Sequence, residues 1–447
     1  MMDWLQLLSA RRPGEQHPVF RPGRSAFEQD YDRIIFSSPF RMLQDKTQVF
    51  PLPKHDFVHT RLTHSLEVSS VGRSLGKNVG ETIISRHPRL SREGITANDF
   101  GAIVSAACLA HDLGNPPFGH SGEAAISDFF KSVSEGKSIG DLVNEKERHD
   151  LHHFEGNAQG FRILNKNQYQ GLRLTFATLA AFSKYPKESL IGAPDANRKS
   201  QRKFGFFQTE RDIFKELAVE TGLLPLSGDD LAWTRHPLAF LVEAADDICY
   251  HIIDLEDGCN AGLVSFNETK DLLGPILGSK FKPEKLNRIG SAREKTGALR
   301  AMAIGELIEQ SVAAFLDCEQ DILSGKFDKA LTDLIPAHDT LAKIIDLSID
   351  KIYRSASVTE TEVAGFEALE GLLKAYVPAV YRVGVKKEKK PRDLTTIRLM
   401  PEEFRIPIMK EEFDSPYPVV RLCLDFIGGL TDSHALALFR RIRGISL

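Results

Sequence analysis

The residue types best suited to chemistry gather in one stretch, residues 107–123, reading ACLAHDLGNPPFGHSGE. His111 and Asp112 are adjacent, a compact pair of nitrogen and oxygen donors suited to a hard or borderline divalent ion. A lone His-Asp pair is more often a core histidine with its carboxylate partner, so the reading rests on its surroundings. His120 and Glu123 follow three residues apart, and one turn of a new helix would set them side by side. Between the pairs, two Gly and two Pro in Gly114-Asn115-Pro116-Pro117-Phe118-Gly119 rule out a continuing helix.

Further donors lie in two other stretches. PLAFLVEAADDICYHIIDLE, residues 237–256, reads as a strongly apolar helix in which buried acids need partners. Asp246, Tyr250 and Asp254 recur at i, i+4 and i+8, in one line along it. Asp247 is offset by about 100°, so Asp246, which shares the Tyr250 and Asp254 face, is the better candidate. Upstream, His64 lies four residues before Val68, near an inward helix face, with Arg61 a turn earlier. Together His64, His111, Asp112 and Asp246 could supply two imidazoles and two carboxylates from three helices. Such a set suits one Mn²⁺ or Mg²⁺, with Fe²⁺, Co²⁺ or Zn²⁺ as alternatives, and leaves room for a phosphate oxygen.

The elements that must position these groups read as helices. Residues 103–110 are an apolar run inside a predicted buried helix, 95–113, that delivers His111-Asp112. Leu66, Val68, Val71, Leu75 and Val79 are spaced for one apolar face, with Thr63 as the expected cap. Helices are also predicted near 152–164, 172–182, 299–318, 331–353, 359–376 and 419–426. Residues 1–30 read as an extended arm, 41–52 as a turn and loop, and 131–151 as a polar insertion. Residues 195–203 (DANRKSQRK) form a basic loop, either solvated or in contact with phosphates or a nucleic-acid strand. Residues 386–392 (KKEKKPR) read as a basic linker, and 394–404 as the one strand-like piece.

Composition narrows the class. The 447 residues can bury a large core, and Lys+Arg 57 against Asp+Glu 61 leaves a net charge of −4, so any anion site must be local. Five scattered cysteines with no CxxC pair point to a reduced, cytoplasmic setting and away from a cysteine metal site. The N-terminus lacks the basic region of a signal peptide, and no apolar run approaches the ~18 residues of a membrane span. Neither GxGxxG, a Walker loop nor GxSxG occurs.

His64 in RLTHSLEV, the LAHDLGNPPFGHSGE string, FEGNAQ and EAADDICYHIIDLED resemble the HD-domain metal-dependent phosphohydrolases. More narrowly, they are similar to the bacterial deoxyguanosine triphosphate triphosphohydrolases. The resemblance runs from about residue 41 to 256, with a weaker echo in VVRLCLDFIGGLTD near the C-terminus. It implies a mainly α HD fold with an N-terminal arm (1–40), a metallophosphohydrolase core (41–260) and a helical C-terminal region (261–447) that completes the substrate site and oligomer contacts. It also implies metal ligands His64, His111, Asp112 and Asp246, and a catalytic pair at His120 and Glu123, nine and twelve residues after His111. The implied reaction releases a deoxynucleoside and inorganic triphosphate from dNTPs, with dGTP the first candidate.

By the same carry-over Tyr250 packs on the deoxyribose, Asp254 accepts from the 3′-OH and Gln48 reads the sugar. Arg61, Asn157, Lys184, Tyr185 and Lys203 are implied triphosphate contacts, and Arg421 a weaker candidate at the base. Asn115 stands where some relatives outside the bacterial group carry a histidine, so a two-histidine relay is not expected. The implied partners are the dNTP, further copies of the chain as a tetramer or hexamer, and single-stranded DNA as an effector. The competing readings are an HD phosphodiesterase for a nucleotide second messenger and a non-catalytic nucleotide- or single-strand-binding HD protein.

Overall fold

A computed structural model describes residues 1–17, 23–49, 59–166, 171–226, 228, 231–410 and 413–445. It is built from helices; among the described residues, extended pairing is limited to isolated bridges such as Thr47 with Thr60. Helix α1 (Ala26–Ile35) opens with a capping box between Ser25 and Glu28. Helices α2 (Arg61–Arg86) and α3 (Ala97–Ala110) form the closest pair. Gly72, Gly76 and Gly80 recur every fourth residue on α2 and let the two backbones approach. A Cβ at Gly76 would stand 2.7 Å from the Phe100 carbonyl oxygen.

Helices α4 (Gly119–Ser132), α5 (Gly156–Asn165) and α6 (Phe176–Phe182) follow, and then α7 (Pro237–Asn260), with Pro237 in its first turn. Helix α7 crosses α2, α3 and α6, which brings residues distant in sequence to one place. Helix α8 (Ala292–Asp317) backs α2 and α7. Helix α9 (Ala356–Gly384) packs on α4, and α10 (Pro416–Gly428) and α11 (Asp432–Arg443) pack on α9.

Two apolar cores result, and neither respects a boundary at 260. The first joins α2, α3 and α7 to Leu273, Leu299 and Ile344. The second joins Phe118, Phe130, Phe154 and Phe207 to Leu372, Val420 and Leu438. The expected arm is part of the first core: Met2, Trp4, Leu7 and Phe27 are buried, and the Trp4 indole donates to Glu319 at 3.2 Å. Residues 18–22 of that arm and 50–52 of the expected loop lie outside the described residues.

Other expectations need correcting. The polar stretch 131–151 carries helices Ser134–Gly140 and Glu145–His152. The strand-like piece is helical, Pro391–Arg398 and Glu402–Met409. Its β-branched residues suggested a strand, but Ile397 and Met400, one helical turn apart, both bury in the second core. Thr60, not Thr63, caps α2; Thr63 answers from the third helical position in a capping box. The basic loop is tied down: Arg198 pairs with Asp328 at 3.0 Å and Lys199 with Glu243 at 3.4 Å.

Candidate active site

His64 sits in the second turn of α2, His111 directly follows α3, and Asp246 lies midway along α7. One donor atom from each lies within 4.8 Å of the other two. The Nε2 atoms of His64 and His111 both stand 3.4 Å from Asp246 Oδ1. His111 Nδ1 donates to the Cys108 carbonyl at 2.7 Å, which fixes the ring and turns Nε2 toward the cluster. Asp112 Oδ1 lies 3.5 Å from His111 Nε2 and accepts from Asn115 at 2.5 Å, while Oδ2 accepts from Arg61 at 2.9 Å. Burial opposes ionisation of Asp112, but His111 and Arg61 outweigh it and hold its pKa at about 2. Burial likewise opposes protonation of His111, yet Asp112 and Asp246 raise its pKa. The two imidazoles and the Asp246 carboxylate fit a divalent cation, whereas Asp112 lies outside this group of three with its oxygens held by Arg61 and Asn115. Asp247 turns the other way, accepting from Thr332 at 2.7 Å.

The second pair stands beside the cluster. Phe118 and Gly119 both take positive φ, 63° and 57°, which breaks the chain out of the Pro-Pro turn and starts α4. A side chain at Gly119 would collide with Arg61, whose Nη2 is 2.7 Å from where a Cβ would sit. His120 follows, its side chain 85% exposed, with Nδ1 2.7 Å from Glu123 Oε2. The other Glu123 oxygen accepts from the Gly156 N–H at the start of α5, also at 2.7 Å. Burial would raise the Glu123 pKa, but His120, Lys203 and that N–H more than offset it, and the carboxyl titrates below its ordinary value.

One cavity of about 250 Å³ is lined by every candidate residue except Asp254 and Arg421: Gln48, Arg61, His64, His111, Asp112, His120, Glu123, Asn157, Lys184, Tyr185, Lys203, Asp246 and Tyr250, with Asn115 beside them. A neighbouring cavity of about 270 Å³ shares Gln48, Arg61, His120 and Tyr250 and extends past Tyr353 to Thr361 and Glu362. The cations are already paired with acids: Lys184 with Asp246 at 2.5 Å and Lys203 with Glu155 at 3.3 Å. Asn157 also donates to Glu155, at 2.7 Å.

Asp254 lies one turn deeper than Tyr250 and faces neither cavity. It accepts from the Tyr353 hydroxyl at 2.8 Å, and Tyr353 stacks on Tyr250 with ring centres 5.6 Å apart. Burial pushes the Asp254 pKa up to about 8. The i+8 spacing put Asp254 in line, but Tyr353, about a hundred positions downstream, gave no signal of its own. It ends a π-helical turn, Ile349–Tyr353, inside a segment read as plain helix. Arg421 is fully buried, donating to Gln159 with its guanidinium 3.5 Å over the Phe207 ring, and lines neither cavity. Glu155 and Asn115 were missed as site residues although they stand inside the strings quoted above.

An HD domain model matches residues 61–178, which hold His64, His111, Asp112, His120 and Glu123 but stop short of Asp246. A deoxyguanosinetriphosphate triphosphohydrolase-like protein from Synechocystis sp. is 44% identical over 455 residues, covering all of both chains. One of the same name from Pseudomonas aeruginosa is 40% identical over 460 residues, covering all of this chain and 99% of its own. A deoxyguanosinetriphosphate triphosphohydrolase from Salmonella schwarzengrund is 31% identical over 493 residues, covering 96% of this chain and 95% of its own. Likeness of this depth along the whole length, with the His/Asp cluster in place, means that the chain belongs to the deoxyguanosinetriphosphate triphosphohydrolase-like family of HD-domain proteins.

Proposed function

We propose that this protein hydrolyses deoxynucleoside triphosphates, dGTP first among them, to the deoxynucleoside and inorganic triphosphate. The observation that carries the reading is a single cavity. It joins the His64–His111–Asp246 cluster, the His120–Glu123 pair and the side chains of Arg61, Lys184 and Lys203. His64, His111, Asp112 and Asp246 would hold a divalent cation, Mn²⁺ or Mg²⁺, which would draw charge from the α-phosphoryl group.

The remaining work falls to the chain's own groups. Arg61, Lys184, Lys203, Asn157 and Tyr185 bind and orient the triphosphate. Glu123 fixes the His120 ring through Nδ1, leaving Nε2 for proton transfer. Water oxygen joins the α-phosphorus, the bond from phosphorus to the 5′ oxygen breaks, and that oxygen leaves with a proton. His120 serves this exchange at either end, taking the water's proton or supplying the one the 5′ oxygen needs. Tyr250, braced by Tyr353, sets its ring against the sugar and leaves no space for a 2′-OH. Assembly into tetramers or hexamers in the cytoplasm, and a response to single-stranded DNA, belong to the same proposal.

The test is product identification with each dNTP and rNTP, with Mn²⁺ or Mg²⁺, in ¹⁸O-labelled water. Deoxynucleoside plus triphosphate carrying the label supports the reading. Pyrophosphate, single phosphate or labelled deoxynucleoside overturns it.

A further inference from the structure

We propose that Asp432, at the start of α11 in the last part of the chain, is a positioning residue for the active site. The residue is 1% exposed, and each of its carboxylate oxygens accepts one backbone N–H, from Phe118 or from Thr47. Oδ1 accepts from Phe118 and Oδ2 from Thr47, both at 2.9 Å. Phe118 precedes Gly119 and His120, and Thr47 precedes Gln48, so one side chain ties the proton-transfer loop to the sugar-reading loop. Nor is Asp432 spent on its own helix, because Thr431 caps α11 by accepting from the His434 N–H.

The neighbouring contacts act alike. Lys46 is buried and donates to the Asn115 carbonyl at 2.6 Å and to the Gly428 carbonyl, at the end of α10, at 2.8 Å. Ser433 donates to Asp45 at 2.9 Å. The elbow between α10 and α11, bent by 111°, therefore grips residues 45–47 and 115–118 together. Phe118 needs such a grip. Its φ of 63° is one that a phenylalanine seldom adopts unless the surroundings impose it. Here the Asp432 bond holds its N–H from one side, and Gly365 of α9 lies against its ring from the other. Asp432 does not touch His120; it acts on the ring by holding Phe118, two residues before it.

The structural part stands without any assigned activity; the catalytic part rests on the function proposed above. The experiment pairs Asp432→Ala and Asp432→Asn with single-amide hydrogen exchange on the full-length protein, and with dGTP kinetics in the parent and His120→Ala backgrounds. In Asp432→Ala the amides of Phe118 and Thr47 should exchange faster together, while the body of α11 keeps its protection. Asn retains one carbonyl oxygen and should release only one of the two, which keeps the test decisive if the alanine variant does not fold. The turnover number should fall by up to about 10²-fold, as for a ring misplaced by about an ångström, with the dGTP KM little changed. In the His120→Ala background the Asp432 substitution should cost nothing further. Unchanged exchange at either amide in the alanine variant, a parent-like turnover number, or an equal loss with and without His120 overturns the proposal. A parent that releases no triphosphate from dGTP defeats the proposed function instead, and the exchange result still decides whether Asp432 is the clasp.

Discussion

Lys184 Nζ stands 2.5 Å from Asp246 Oδ2, on the carboxylate whose other oxygen faces both histidines. Arg61 holds Asp112 in the same way, so two expected phosphate contacts are also the counter-charges of the two proposed metal-ligating acids. Removing one partner of a buried pair costs about 3–5 kcal/mol, because the other charge is left uncompensated. Lys184→Met should therefore lower the melting temperature of the metal-free protein, and added Mn²⁺ should restore more stability to the variant than to the parent. Scanning fluorimetry over a Mn²⁺ titration checks this; equal shifts in the two proteins would show that Lys184 does not balance Asp246.

Chelation should abolish turnover and lower the melting temperature, and Mn²⁺ should reverse both. An ion at about a hundred times its Kd adds about 2.7 kcal/mol to a protein that binds it only when folded. His64→Ala and His111→Ala should lose that thermal shift, and His120→Ala should keep it. A shift that survives loss of either ligand histidine would place the ion elsewhere.

His120→Ala should lower the turnover number by about 10²–10⁴-fold, the usual range for a positioned acid or base. Glu123 adds a pH signature. Its folded pKa lies below the ordinary 4.5, so the stability it contributes is present above that value and is lost as the pH falls through the folded pKa. Glu123→Gln should flatten the acid side of the stability profile. A variant as acid-sensitive as the parent would mean that the His120–Glu123 bond contributes little.

Asp254 has the opposite sign. Its pKa rises from 3.8 to about 8 on folding, so its contribution is fully present below about pH 4 and lost as the pH climbs toward 8. Asp254→Asn keeps an oxygen for the Tyr353 hydroxyl and removes the ionisation. Its melting temperature should therefore exceed the parent's at pH 8, with the gap closing toward pH 4. A gap that does not vary with pH would show that Asp254 does not titrate in this window.

Spacing carried the site further than it carried the fold. His111-Asp112 and His120–Glu123 were readable because each pair is local, and a helical turn brings its members together whatever the rest of the chain does. Choosing Asp246 over Asp247 needed the angle between neighbours on a helix and the Tyr250 and Asp254 face that Asp246 shares. The resemblance supplied Gln48, Asn157, Lys184, Tyr185 and Lys203, none of which periodicity could select. What escaped was set by long-range packing. Tyr353 covers Asp254 from about a hundred residues away, Trp4 docks on Glu319, and Ile397 and Met400 settle into a core whose other members are scattered along the chain. Residues 394–404 failed as a strand for the same reason: local propensity was outvoted by a surface that a short window cannot see.

The elbow at 428–433 also bears on how the protein is made. Translation runs from the amino end, so His64, His111, His120 and Asp246 leave the ribosome long before Asp432 does. Until residues 428–433 dock, the Thr47 and Phe118 amides lack the Asp432 carboxylate that accepts from them in the folded protein. A chain cut before residue 428 should therefore expose the Phe118 and Thr47 amides together.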